Sequence, residues 1–420
     1  MLKQTRFFPF DQVPISDSCW SLSTGPDGRI YAAACIERLG GGSAYITRYN
    51  EDTDSLDYMV EVATAVGDPP DSGRATQCKI HYCFAPSVAD GILYASTHLS
   101  GPALGDYIYN PWGDWGDERK AFRGSHLLAF DTRTDEVLWH DLLLPHEGAR
   151  CLAFDEQRQL FYAISYPRDH FFIYDLKTRQ HRDLGRLGSV NAQAIFLDRR
   201  GRAFTSNQHG QLVRFDPDTQ ELREIPVYLP HEPYQSAFHT VIYDAVAAPA
   251  GTCIYGVTWR AHPHLFRYLP EEGEFGRIED LGAATQPRDT SVPFDTFLDH
   301  AGGVVFGADG MLYYGSSRWA KDPGKHFKDF ADDLSYKAVD TNYFDATGII
   351  VQLNPETLER KEFAELKRPG MTAQYVSRGA RDKNGDLFFG HVGMICPSGI
   401  FRLPMDESKT KAAFQVRYWG

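Results

Sequence analysis

Basic residues are scarce in this chain, and nowhere do they gather into a stripe. Its 420 residues hold 43 Lys and Arg against 56 Asp and Glu, a formal net charge of −13. That balance argues against nucleic acid as a partner. An anionic small substrate would need local Arg and His to overcome the global field. No apolar run is long enough to span a bilayer, so no membrane partner is expected. The opening Met1-Leu2-Lys3-Gln4 lacks the apolar core of a secretory leader, which leaves a cytoplasmic protein or the mature form of a secreted or periplasmic one. Seven cysteines, an odd number without repeated spacing, argue against a disulfide framework. Cys78 and Cys83 flank His81, but the spacing is not CxxC and Cys83 falls on a core strand pattern, so no metal ligands are assigned.

What is abundant is one supersecondary pattern written seven times. Its clearest copy runs Ala192–Asp198, a turn at Arg199-Arg200-Gly201, then Arg202–Ser206, then Gln211–Asp216, a turn at Pro217-Asp218-Thr219 and a last strand from Leu222. Short β-rich runs bounded by Gly, Pro and Asp read as a four-stranded antiparallel meander. The closing hairpin recurs at Asn50-Glu51-Asp52-Thr53, Asp131-Thr132-Arg133-Thr134, Asp175-Leu176-Lys177-Thr178, Pro270-Glu271, Asn354-Pro355-Glu356-Thr357 and Pro404-Met405-Asp406. The first turn recurs as Asp27-Gly28, Asp90-Gly91, Asp309-Gly310 and Asn384-Gly385. Undisturbed repeats are about 40–45 residues long, the length of a propeller blade. The expected fold is all-β: one seven-bladed β-propeller of four-stranded antiparallel blades over residues 1–420. The run Arg6-Phe7-Phe8-Pro9-Phe10 is expected to supply an edge strand that closes the ring. Two inserts, at about 100–123 and 319–346, interrupt second-to-third-strand connections and are expected on one face.

That face is where chemistry is expected, because loops after second and fourth strands gather there. The second strand of blade two ends at His98, and that of blade three ends at Tyr166. The matching positions hold Trp259-Arg260 in blade five, Ser317-Arg318 in blade six and His391 nearby in blade seven. His81 lies at the start of blade two's first strand and is expected to face the axis beside His98. Arg186 ends the fourth strand of blade three on the Tyr166 side. His239 precedes blade five, and the first insert carries Tyr107, Tyr109, Trp112 and Trp115, aromatics suited to stacking on sugar rings or to packing a small lid. The expected binding residues are thus Arg260, Arg318, His239 and Trp112, and no Asp/Glu pair of a hydrolase stands at the rim positions.

In Lys79-Ile80-His81, Leu93–His98, Tyr166-Pro167-Arg168, Tyr174-Asp175-Leu176 and Asp183-Leu184-Gly185-Arg186 the chain resembles the seven-bladed β-propeller polysaccharide lyases, including ulvan lyases and those cutting rhamnosyl-glucuronate linkages. The architecture covers the whole chain, the specific motif only blades two and three. Those families use two histidines of one blade, a tyrosine of the next and an arginine. The resemblance therefore implies His81, His98, Tyr166 and Arg186 as catalytic residues. Arg182 competes with Arg186 for the last place, and strand geometry favours Arg186. Eliminative cleavage removes the weakly acidic proton α to a uronate carboxylate. A cation must stabilise the developing charge, a base near neutral pKa must take the proton, and an acid must protonate the leaving oxygen. No activated water is needed, so paired carboxylates are not expected.

This reading expects a monomer acting on an anionic oligo- or polysaccharide with no required cofactor, a structural cation being left open. Two other readings stand beside it. One is a non-catalytic propeller that binds glycan or protein through its rim aromatics. The other is a metal-dependent propeller enzyme, a lactonase or oligogalacturonate lyase, for which His81, His98 and His239 would supply part of a ligand set.

Overall fold

The turns explain why the strands stop where they do. In the first-to-second-strand turns Gly28, Gly91, Gly201, Gly310 and Gly385 all adopt positive φ, between 72° and 91°. That region costs glycine nothing and other residues a steric penalty. In the closing hairpins an Asx side chain holds the turn. Asn50 Oδ1 accepts from the amides of Asp52 and Thr53, and Asp175 Oδ1 accepts from those of Lys177 and Thr178. Asp216 and Asn354 do the same in their hairpins. Local side-chain bonding of this kind is what makes Asp and Asn turn residues.

The structure is a computed structural model that describes residues 2–36, 42–99, 116–188, 192–231, 240–259, 262–285, 300–319, 346–368, 375–392 and 396–405. It is an all-β, seven-bladed β-propeller. Strands β1 (Lys3–Gln4) and β2 (Arg6–Pro9) come first. Blade one is β3 (Leu22–Thr24), β4 (Ile30–Ala34), β5 (Tyr45–Asn50) and β6 (Ser55–Glu61). Blade two is β7 (Phe84–Ser87), β8 (Ile92–Ser96), β9 (Gly124–Asp131) and β10 (Glu136–Pro145). Blade three is β11 (Gly148–Asp155), β12 (Leu160–Tyr166), β13 (His170–Asp175) and β14 (Gln180–Arg186). Blades four, five and six span Phe196–Tyr228, Val241–Ala283 and Gly302–Glu365, and the three strands of Tyr375–Leu403 belong to blade seven.

Every blade orders its strands in sequence, antiparallel neighbour to neighbour. Two additions come from the N-terminus. β2 is the outer strand of the seventh sheet, and β1 runs parallel to the last strand of blade six, making that sheet five-stranded. Two sequence boundaries shift. The first strand of blade two begins at Phe84, so His81 sits in its irregular lead-in, anchored by an isolated bridge between Lys79 and His98. The first strand of blade four is only Phe196–Leu197. Of the two inserts, 100–115 and 320–345 lie outside the described residues.

The described chain falls into two compact units. One holds blades one to three together with Cys396–Gly399; the other holds blades four to seven together with the described residues before Phe8. In the first unit β4, β8 and β11 are buried along their whole length, whereas outer β10 alternates and outer β14 is largely exposed. Its core joins Tyr31, Leu93, Phe130, Phe154 and Phe161. Phe154 and Phe161 stack with centroids 4.3 Å apart, and Tyr94 packs edge-on to both. Offset and edge contacts of this kind add to the area term in fixing a core. In the second unit Phe196, Phe204 and Tyr268 form one core, and Tyr313, Phe389 and Phe401 belong to another.

Candidate active site

Where β8 ends and β11 begins, inside the first unit, polar side chains are buried that a purely structural strand end does not require. The His98 amide donates to the Lys79 carbonyl across 2.7 Å, and the Ala149 amide to the Thr97 carbonyl across 2.9 Å. These bonds fix the backbone under three rings. His81 and His98 have centroids 5.4 Å apart, and His98 and Tyr166 5.0 Å. Trp20 stacks on His81 at 4.8 Å with the planes 22° apart.

Two buried cations flank the rings. The Arg150 guanidinium lies 4.5 Å from the centre of the Tyr166 ring, and the Lys79 ammonium 4.7 Å from that of Trp20. Both residues are below a tenth exposed. Burying a cation is costly unless something compensates, and an aromatic face is one such partner.

The histidines respond to this setting. Burial, followed by the positive charge of Lys79 and the neighbouring cations, lowers the pKa of both His81 and His98 well below the ordinary value. Both are therefore neutral imidazoles at pH 7. His81 Nδ1 lies 2.7 Å from the Arg150 carbonyl oxygen. A carbonyl only accepts, so Nδ1 carries the hydrogen and Nε2 the lone pair. His98 is 2% exposed; neither ring nitrogen makes a well-formed hydrogen bond among the described residues, and the Leu99 backbone is the polar group that acts on the ring. A buried unsatisfied polar group calls for an explanation, and catalytic use is one.

Acidic residues complete the neighbourhood. Glu147 is buried and bound by both arms of Arg168, at 2.8 Å each. Asp169 is 4% exposed, its Oδ1 has no partner among the described residues, and it holds a positive φ of 56°. Burial raises its pKa to about 6 against the opposing pull of Arg150 and Arg186.

Of the residues proposed from sequence, then, His81, His98 and Tyr166 lie together. Arg186 is exposed at the end of outer strand β14, where its Nε donates to the Gly188 carbonyl at 2.7 Å. Arg182 is exposed on the same strand. The guanidinium over Tyr166 is that of Arg150, whereas Arg186 acts on the Asp169 carboxylate. An outer strand faces solvent, whereas β11 is the innermost strand of its blade. Arg318, in the second unit, donates to Glu362 at 2.8 Å and to Glu365 at 3.1 Å, and is occupied within its own blade. His391 is fully buried between Phe7 and Phe401, edge-on to both, and serves the core. Arg260, His239 and Trp112 lie outside the described residues.

Sequence reasoning missed Arg150, Lys79, Trp20 and Asp169. The signal for Arg150 was present: a charged residue inside Gly148–Asp155, where every position is buried. First strands line the channel, and that logic, used for His81, applies equally to blade three. Among the described residues no group of three or more His, Cys, Asp or Glu is placed to hold a metal ion.

No protein-family model matches the sequence, and no curated protein matches it. Solved structures do share the fold. The chain superimposes on the extracellular domain of a putative one-component system from B. thetaiotaomicron with a TM-score of 0.56 and 13% identity, over 96% of this chain and 40% of that one. The chain thus spans well under half of that relative. It matches a streptogramin B lyase with a TM-score of 0.57 and 11% identity, over 97% of this chain and 99% of the other. It also matches the WD40 repeats of RRP9 with a TM-score of 0.55 and 10% identity, over 96% and 98% of the two chains. At such identities the likeness is one of fold, which enzymes and non-enzymes share.

Proposed function

We propose that the protein is a lyase that cleaves a uronate-containing glycan by β-elimination. The observation that supports this reading is the row His81–His98–Tyr166, with a buried guanidinium over the tyrosine. His98 is the base. It is neutral at pH 7, and its ring nitrogens make no well-formed hydrogen bond among the described residues. It takes the proton α to the uronate carboxylate. The electron pair of that C–H bond forms the new carbon–carbon double bond, and the β carbon–oxygen bond breaks. Tyr166 gives its phenolic proton to the departing glycosidic oxygen. Arg150 offers the carboxylate a planar fork that matches two oxygens, and so stabilises the charge that develops in the transition state. Lys79 adds a second positive charge to the same neighbourhood. His81 is a positioning residue, holding the Arg150 backbone through Nδ1 and packing between Trp20 and His98. The site is cationic inside an acidic protein, which suits an anionic oligo- or polysaccharide.

The test is incubation of the full chain with a panel of uronic polysaccharides, with and without a chelator, followed by ultraviolet absorbance of the unsaturated uronate. Product formation that survives the chelator is the expected result. Chelator-sensitive product would shift the assignment to a metal-dependent lyase, and tight glycan binding without product to a binding propeller.

A further inference from the structure

Two histidines lie apart from this arrangement, on the outer half of blade two. His126 is on β9 and His140 on β10. The register pairs His126 with Leu142 and Leu128 with His140, so the two imidazoles are diagonal neighbours on one face of the hairpin. Their centroids are 5.3 Å apart, and the two Nδ1 atoms approach to 3.3 Å.

Two imidazole nitrogens on one tetrahedral ion, each about 2.0–2.1 Å from it, stand roughly 3.3–3.4 Å from each other. The observed separation has that value before any ion is added. We propose that His126 and His140 form a two-imidazole site for a divalent cation of the zinc, nickel and copper class, with water filling the remaining positions.

The surroundings fit such a site. His140 is exposed, so water and metal have access, while His126 is half-buried. The two Nδ1 atoms share one hydrogen bond, which a bound ion would replace. Asp141 is engaged by Tyr174 and Arg179, each at 2.6 Å, and Asp68 by Gln77 at 2.9 Å and Arg123 at 3.6 Å. Neither carboxylate is counted as a ligand. A site of two nitrogens and water favours borderline cations over magnesium or calcium, which select oxygen cages. Once bound, the ion would cross-link β9 to β10 and stabilise the folded chain by mass action. Nothing in this inference depends on the lyase reading.

The experiment is calorimetric titration of the chelator-treated full chain with zinc chloride, beside thermal unfolding with and without zinc. His126→Ala, His140→Ala and the surface-conserving His140→Gln are compared, with circular dichroism as the fold control. The expected result is one zinc equivalent whose affinity falls at least about tenfold in each variant, a tenfold change being about 1.4 kcal/mol. A zinc-dependent rise in Tm should be present in the native chain, lost in the folded His140→Gln variant and absent with magnesium. Zinc binding and a Tm shift that persist unchanged in His140→Gln would overturn the proposal, as would a native chain that takes up no zinc.

Discussion

His81 donates its Nδ1 hydrogen to the backbone carbonyl of Arg150 across 2.7 Å, linking blade two to the first strand of blade three. The bond couples the histidine to the position of the guanidinium and fixes its tautomer. His81→Gln keeps a donor of similar reach, whereas His81→Ala removes it. Kinetics on a responsive uronic glycan should show kcat/KM down by about 10²-fold for His81→Ala, the cost of misplacing a catalytic group by roughly 1 Å. His81→Gln should recover a clear part of that loss. Equal losses in the two variants would mean that the donor is not what matters.

Arg150 and Arg186 make opposite predictions. Arg150→Lys keeps the charge and loses the fork, and should lower kcat/KM by about 10²–10³-fold, as removal of an oxyanion-stabilising donor does. Arg186→Lys, on the exposed outer strand, should stay within about twofold, as surface changes usually do. The reverse ranking would restore the arginine read from sequence.

The seven blades were legible because their turns are local. An Asp-Gly or Asx-x-x-Thr turn is specified by two to four adjacent residues, and the same bonds appear at Asn50, Asp175, Asp216 and Asn354. His98 and Tyr166 could be grouped because they end second strands at the same point of the repeat, and His81 because its first strand was expected to bring it beside His98. The arginine could not be chosen that way. Arg182 and Arg186 satisfy the spacing of the family motif, but Arg150 reaches Tyr166 from the neighbouring strand, a contact that depends on packing. Trp20 and Lys79 meet across blades one and two for the same reason. Asp169 gave no signal either, because its burial follows from the fold around it.

Asp169 should leave a mark on stability. Its folded pKa, about 6, is above the unfolded value near 3.9, so the folded state favours the protonated form. Its relative stabilisation is fully present below pH 4 and is lost as pH rises through 6. Asp169→Asn should therefore raise Tm at pH 8 and leave it unchanged at pH 4. His300 and His391 work the other way. Burial lowers them to about 4 and about 3, so the unfolded chain takes up protons first and stability falls as pH drops below about 6.5. Thermal unfolding from pH 8 to 4 checks both signs. A Tm for Asp169→Asn that tracks the native protein at every pH would show that the carboxyl is not held in the buried setting described.

The most direct test of the account compares one uronic glycan with its carboxyl-reduced form, in which each uronate has become the neutral sugar, by the ultraviolet absorbance of unsaturated product. Without the carboxylate the α-proton has no acidifying group, and the Arg150 fork has no carboxylate to meet. The native glycan should yield product, the reduced glycan none, and His98→Ala and Tyr166→Phe should each lose about 10²–10⁴-fold on the native glycan, the usual cost of removing a general base or acid. Cleavage of the reduced glycan at a comparable rate, or full activity in both folded variants, would contradict β-elimination at this site.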